Sequence, residues 1–300
     1  MGAAQRALRR PFAGALERAL RMTSLRAGLV LVYHEVTAAA RRDPWLEVTP
    51  VVDAQMFSAH LRHLNARHRI VALHELAAAA TERRRGQPFP VALTFDDDLR
   101  THLDTALPRL RAAGATATFF LTGRSLAAPA SFWWERLQRA IDAGLVPADG
   151  GARAVAARIQ ALPAPAREAV SDDLLRRLGG ELPDWGLRAE HVRELAGAGC
   201  EIGFHTRRHE ALTELDDARL AGAMHDGREA LEAAAGSALR AIAYPHGAAD
   251  ARVASAARTA GYAVGVTTDP HAVRAGADPL LLGRIYPSPA SVAGLATGLT

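Results

Sequence analysis

The sequence predicts an α/β protein organised as one closed or nearly closed β/α barrel of about seven units. Three observations carry this reading. Short apolar, β-prone runs recur along the chain, helix-spaced segments lie between them, and glycines stand where several of those helices should end. With 300 residues, 49% of them apolar, the chain can bury one sizeable core. Alternation of strand and helix argues for a parallel sheet, because parallel neighbours need a long crossover.

In chain order, residues 1–27 read as a basic arm. Arg6, Arg9, Arg10, Arg18, Arg21 and Arg26 against Glu17 give the first 30 residues +5, leaving −1 (30 basic, 31 acidic) for the other 270. Pro11 is placed to open a helix, and Phe12, Leu16 and Leu20 recur at helical spacing opposite the arginines. Such an amphipathic helix either packs on the body or makes a peripheral membrane contact through residues 11–22. Glu17, Arg18 and Arg21 interrupt the apolar stretch a signal peptide needs, and no run is long enough to span a bilayer. The expectation is a cytoplasmic chain, with membrane association left open. The near-neutral body offers no basic face, so no nucleic-acid partner is expected.

The barrel proper is expected over 28–300. Its strands are Gly28–Tyr33, Arg69–Ala72, Pro90–Phe95, Thr116–Leu121, Glu201–Phe204, Ala241–Tyr244 and Ala263–Thr267. Helices are expected at Ala54–Ala66, His74–Arg84, Leu99–Ala113, Ala189–Ala198, Asp216–Ala235 and Ala249–Ala260, with Gly114, Gly199 and Gly261 as C-terminal caps. The stretch from about 131 to 185 lacks a clear strand and reads as a helical insertion with loops at Val146–Gly151 and Leu162–Pro165.

Composition narrows the chemistry. There is no lysine among the 36 basic residues, which excludes a P-loop lysine, a Schiff base and a kinase-type lysine. Cys200 is the single cysteine, expected to be buried and inert, so disulfides and multi-cysteine zinc sites are excluded as well. Carboxylates, histidines, hydroxyls and a metal remain.

Reactive groups of a parallel barrel collect where its strands end. Here the first run ends in Tyr33-His34-Glu35, the third in Asp96-Asp97-Asp98, the fifth in His205 with His209 following, and the sixth in Tyr244-Pro245-His246-Gly247. Asp98 alone also reads as a helix N-terminus. Asp96 and Asp97 repel one another unless a cation or proton intervenes. His205 and His209, with one of these aspartates, make a set of two histidines and a carboxylate that leaves positions open for water and substrate.

These residues carry a family resemblance. Thr94-Phe95-Asp96-Asp97-Asp98 and His205-Thr206-Arg207-Arg208-His209 resemble the first two motifs, TFDDG and the H-[ST]-x-x-[HS] type, of the polysaccharide deacetylases (carbohydrate esterase family 4, the NodB-homology domain). ATATFFLTG, AGAGCEIGF and AIAYPHG follow in the family's order, and the likeness runs from Leu29 to Ile285. It implies a distorted (β/α)7-type barrel and a metal-dependent hydrolase removing N-acetyl groups from amino sugars of a polysaccharide or glycan precursor. Asp97, His205 and His209 would bind a divalent cation, usually zinc in the family, with Asp96 as general base and Thr206 orienting the metal-binding turn. The Tyr244 region would supply a backbone N–H to the oxyanion, and Tyr244, Pro245 and His246 would contact substrate; Trp134 is a further candidate contact because aromatic faces stack on sugar rings.

The pattern also departs from the family. Asp98 replaces the usual glycine, where a left-handed backbone is tolerated less freely. Ile242 stands where the third motif carries an arginine that orients the base, leaving Arg284 or another arginine to replace it. The late Leu-x-His that supplies the general acid is absent, since 280–284 reads LLLGR. His34 on the first strand is the candidate acid, as in relatives with permuted strands, with His246 as fallback. Trp133, Trp134 and Trp185 are open to two readings, anchoring the insertion or stacking on a sugar. The substrate expected is an N-acetylated glycan or a lipid-linked sugar. Two alternatives keep the same fold: a deformylase or other amide hydrolase, and a catalytically degenerate glycan-binding barrel.

Overall fold

A computed structural model describes residues 15, 17–38 and 43–288. Pro11, Phe12 and Leu16 of the expected basic helix lie outside the described residues, but 17–21 are helical and Leu20 packs against the main core.

The strands are β1 (Ala27–Tyr33), β2 (Glu35–Thr37), β3 (Val51–Asp53), β4 (Arg69–Ile70), β5 (Pro90–Asp96), β6 (Thr118–Leu121), β7 (Glu201–Phe204), β8 (Ala241–Ala243), β9 (Val264–Val266) and β10 (Val273–Arg274). The helices are α1 (Ala54–Arg67), α2 (Leu76–Glu82), α3 (Leu107–Ala113), α4 (Trp133–Asp142), α5 (Ala152–Gln160), α6 (Ala164–Arg177), α7 (Ala189–Gly197), α8 (Asp217–Ala223), α9 (Arg228–Ala235) and α10 (Ala251–Thr259). The main sheet runs β10-β1-β5-β6-β7-β8-β9, with β4 beside the start of β5. All of its pairings are parallel except β10 with β1. This curled sheet is the expected β/α barrel.

A late extended segment fills the gap between the two ends of the sheet. Leu282 bridges Val266 and Ile285 bridges Leu31, both in parallel. Thr267 N–H donates to Leu282 O at 2.8 Å, and Ile285 N–H donates to Val30 O at 2.9 Å. The segment that lacked the expected histidine therefore serves to close the barrel, and it carries Arg284 inward.

β5 is an interior strand, flanked by β1 and β6 and buried along its whole length. Its register places Thr94 between Val32 and Thr118. Phe95 is stacked between Tyr33 (5.3 Å) and Phe119 (4.8 Å), each pair worth about 0.5–1.5 kcal/mol beyond its burial. The strand end that carries the three aspartates is thus held from both sides.

Several helices differ from the sequence reading. The helix expected over Leu99–Ala113 starts as a π-helical turn at His102–Ala106, where Leu107 N–H reaches His102 O, before becoming α3. The single helix expected over Asp216–Ala235 is two, α8 and α9, broken before Gly227 (φ 80°). A Cβ at Gly227 would stand 2.8 Å from the Arg207 side chain, so the close passage of that arginine requires glycine. Helix α6 begins at Ala164, inside the loop expected at Leu162–Pro165. Gly114 caps α3 in the left-handed region (φ 59°), as expected. Between β6 and β7 lie α4, α5 and α6, whose Trp134, Leu137, Ile141, Val155 and Leu174 form a separate small core with Val48. Cys200 is free and buried.

Candidate active site

The ends of β1, β5, β7 and β8 open into one cavity of about 410 Å³, lined among others by His34, Asp96, Asp97, His205, His209 and Arg284. All four non-glycine residues with positive φ among the described residues stand at this mouth: Asp97 (74°), Thr206 (55°), His209 (51°) and His246 (59°). Strain of this kind costs of order 1–3 kcal/mol per residue and persists only where the surroundings enforce it.

One enforcing residue is His102, which is fully buried on the π-helical turn. Its Nε2 lies 3.0 Å from both Asp96 O and Asp97 O, so one ring N–H holds two successive carbonyls of the turn. Sequence reasoning passed over His102. A histidine six residues after the strand's last carboxylate, amid apolar helix positions, was the available signal.

The three aspartates have three different environments. Arg284, 1% exposed, clamps Asp96 with Nη1–Oδ1 at 2.6 Å and Nη2–Oδ2 at 2.7 Å. Burial raises the Asp96 pKa, but the Arg284 charge, then His205 and the Arg284 hydrogen bonds, outweigh it and hold the carboxyl at about 2. Arg284 thereby fills the vacancy left by Ile242. Asp97 lacks such a partner. Burial first, then the charges of Glu135, Asp96 and Asp98, push its pKa well up. Asp98 accepts from Thr122 N–H (2.8 Å), Thr122 Oγ1 (2.6 Å) and Arg124 N–H (3.1 Å), tying down the loop after β6. The left-handed conformation expected at Asp98 falls instead on Asp97, and Asp98 acts as a buried acceptor and not a helix cap.

Asp97 Oδ1 lies 3.8 Å from His205 Nε2 and 4.0 Å from His209 Nε2, too far for hydrogen bonds, and it has no hydrogen-bond partner. His205 Nδ1 donates to Ala243 O at 2.8 Å, which aims Nε2 at the aspartates. His209 packs against Trp134 (4.6 Å between ring centres) and His246 (4.7 Å), and burial first, then the neighbouring imidazoles, drive its pKa well down. Two neutral imidazoles and an unpaired carboxylate facing one point are the donor set of a divalent cation. The residues present fit such an ion.

The chain belongs to the polysaccharide deacetylase family.

The family's profile, described as polysaccharide deacetylase, matches residues 83–265 and so covers both aspartates and both histidines. Solved structures of similar fold include the Streptococcus pyogenes deacetylase PplD in complex with acetate, 19% identical, with a TM-score of 0.65 over 91% of this chain and 98% of that one. IcaB from Ammonifex degensii is 19% identical, with a TM-score of 0.62 over 90% of this chain and 96% of that one. The BpsB deacetylase domain from Bordetella bronchiseptica is 15% identical, with a TM-score of 0.56 over 87% and 95% respectively. At these identities the likeness shows the fold. No curated protein matches the sequence. Family membership places the chain among the carbohydrate deacetylases, a class of hydrolases.

The remaining site residues are placed unevenly in this deacetylase-family fold. His34 lines the cavity with a buried Nδ1 that has no hydrogen-bond partner, and its ring faces Tyr286 at 5.8 Å. Burial lowers its pKa to about 4 despite the opposing charge of Asp96. His246 also lines the cavity, whereas Pro245 is buried in the turn beneath. Tyr244 lines the cavity as well, but its N–H donates to Val266 O (3.1 Å) and its hydroxyl to Leu280 O (2.8 Å), so neither group is free for an oxyanion. Trp134 is 8% exposed and stacked on Phe132 at 4.4 Å, while the less buried Trp133 lines the same cavity. Trp185 donates to Glu135 Oε1 at 3.1 Å, tying the two ends of the insertion to each other. Among the described residues, no helix is long and apolar enough to cross a membrane.

Proposed function

We propose that this chain is a metal-dependent deacetylase that removes N-acetyl groups from amino sugars of a glycan or glycan precursor. The observation carrying this reading is the division of labour between adjacent carboxylates. Asp96 is neutralised by Arg284, while Asp97 is buried without a counter-charge and faces two imidazoles.

Asp97, His205 and His209 would hold the cation, with zinc the expected ion. When bound, it supplies Lewis acidity toward the acetamide carbonyl and toward water. Asp96 stays ionised through its clamp, and each of its oxygens keeps acceptor capacity beyond the Arg284 bond, so it can take a proton from the attacking water. The clamp also fixes the carboxylate plane, removing a freedom that a catalytic base would otherwise lose on reaction. With the Tyr244 amide committed to the sheet, the His246 amide at the same turn is the candidate donor to the oxyanion. His34 is the candidate to protonate the leaving nitrogen, with His246 as the alternative imidazole. The contact between Arg284 and Asp96 removes one of the two supports of the degenerate-barrel reading, the missing third-motif arginine; the other was the absent late histidine.

The substrate proposed is an N-acetylated glycan or a lipid-linked sugar; Trp133 and Trp134 at the cavity wall suit a sugar ring. Peripheral membrane contact through residues 11–22 belongs to the same proposal. The test is acetate release from N-acetylglucosamine oligomers with added zinc, beside formate release from N-formylated equivalents. Zinc-stimulated acetate release that Asp96→Asn abolishes is the expected result. Release of formate alone would transfer the site to the deformylase reading.

A further inference from the structure

The described residues contain a second carboxylate–histidine cluster, away from the barrel mouth: Glu17, His63 and His68. Glu17 comes from the basic N-terminal helix, His63 from the last turns of α1, and His68 is the residue that caps α1. Glu17 Oε1 is 2.9 Å from His63 Nε2 and 3.7 Å from His68 Nε2, and one donor atom from each residue lies within 4.8 Å of the others.

Two of these residues are stranded in polar terms. Glu17 and His68 are each 7% exposed. Glu17 Oε2 and both ring nitrogens of His68 are buried without a hydrogen-bond partner. A neutral imidazole always carries one N–H, so His68 buries an unmet donor or acceptor whichever tautomer it adopts, typically a cost of about 1–3 kcal/mol. Asp97 Oδ1 and His209 Nδ1 at the mouth are orphaned in the same manner. Ligands bound at about 2.0–2.1 Å to a tetrahedral zinc lie roughly 3.3 Å apart, between the two separations measured here. His63, with 21% of its side chain exposed, provides the route of entry.

We propose that Glu17, His63 and His68 form a second divalent-cation site, of the zinc-binding His₂-carboxylate type, that fastens the N-terminal helix to α1. It is structural. Its ligands join a segment remote in sequence to the barrel, and it draws no residue from the catalytic cavity. It does not depend on the mouth cluster binding metal.

The experiment titrates metal-free full-length protein with zinc alone and reads stoichiometry and Tm. An Asp97→Ala/His205→Ala double variant should retain about one zinc per chain and still rise in Tm by several degrees on zinc addition. Adding Glu17→Gln to that variant should abolish both responses. His63→Gln, at the partly exposed position, repeats the test should Glu17→Gln fail to fold. The proposal is overturned if the double variant binds no zinc, or if its zinc is indifferent to Glu17→Gln and His63→Gln.

Discussion

The two carboxylate–histidine clusters use the same ligand types and differ in everything around them. The mouth cluster sits at strand ends, on a backbone with four strained residues, beside a cavity of about 410 Å³ and a second, separately neutralised carboxylate. The arm cluster joins regular helices, and among the described residues none of its three members has positive φ. Donor identity therefore says that a cation fits. Open space, backbone strain and a neighbouring base say that chemistry follows.

The largest effect that sharpens this contrast is expected from Asp97→Ala. Acetate release should fall by roughly 10³-fold or more, with loss of zinc from the mouth, whereas Glu17→Gln should lower Tm and leave turnover unchanged. Parallel steady-state assays and metal analysis would break the comparison if the two variants behaved alike. Asp96→Asn comes next: about 10²–10⁴-fold loss in kcat with full zinc content, because the asparagine cannot accept the proton while Asp97 still binds.

Arg284→Ala should destabilise the fold by about 3–5 kcal/mol in urea titrations, since it leaves a buried carboxylate without its counter-charge. Linkage fixes the direction in pH. The Asp96 pKa falls from 3.8 to about 2 on folding, so its contribution is present above pH 3.8 and is lost as pH drops through 2. The variant should lose this acid-side dependence.

Glu135→Gln should give the smallest effect. Burial raises the Glu135 pKa from 4.5 to about 7, so the native state binds the extra proton and stability declines as pH rises from 4.5 to 7. The glutamine should flatten that decline in metal-free protein, by at most about 3 kcal/mol and less where solvent reaches the side chain. Melts at pH 5 and pH 8 measure it.

The legible parts of the molecule were those written in local pattern. Six of the seven expected strands, β1 and β5 to β9, match apolar runs because a strand buried on both faces cannot hide its composition, whereas β4 is a partly exposed pair of residues held by β5. Aspartates and histidines at their ends then fall at one mouth by topology alone. What escaped was non-local. Asp98 looked like a helix cap because its acceptor role is defined by Thr122 and Arg124, more than twenty residues on. Strands β2, β3 and β10, two or three residues each, owe their existence to partners and not to propensity. The break at Gly227 depends on where Arg207 passes, and the Tyr244 amide is silenced by Val266, neither of which leaves a periodic trace.

The closing segment has a consequence for how the protein is made. Asp96 and the arginine that clamps it are 188 positions apart. A chain emerging from the ribosome builds β1, β5 and β6 and the aspartate turn long before Leu282 and Ile285 can seal the sheet. Contacts of such long range form late. A chain interrupted before Arg284 would therefore bury Asp96 without its counter-charge.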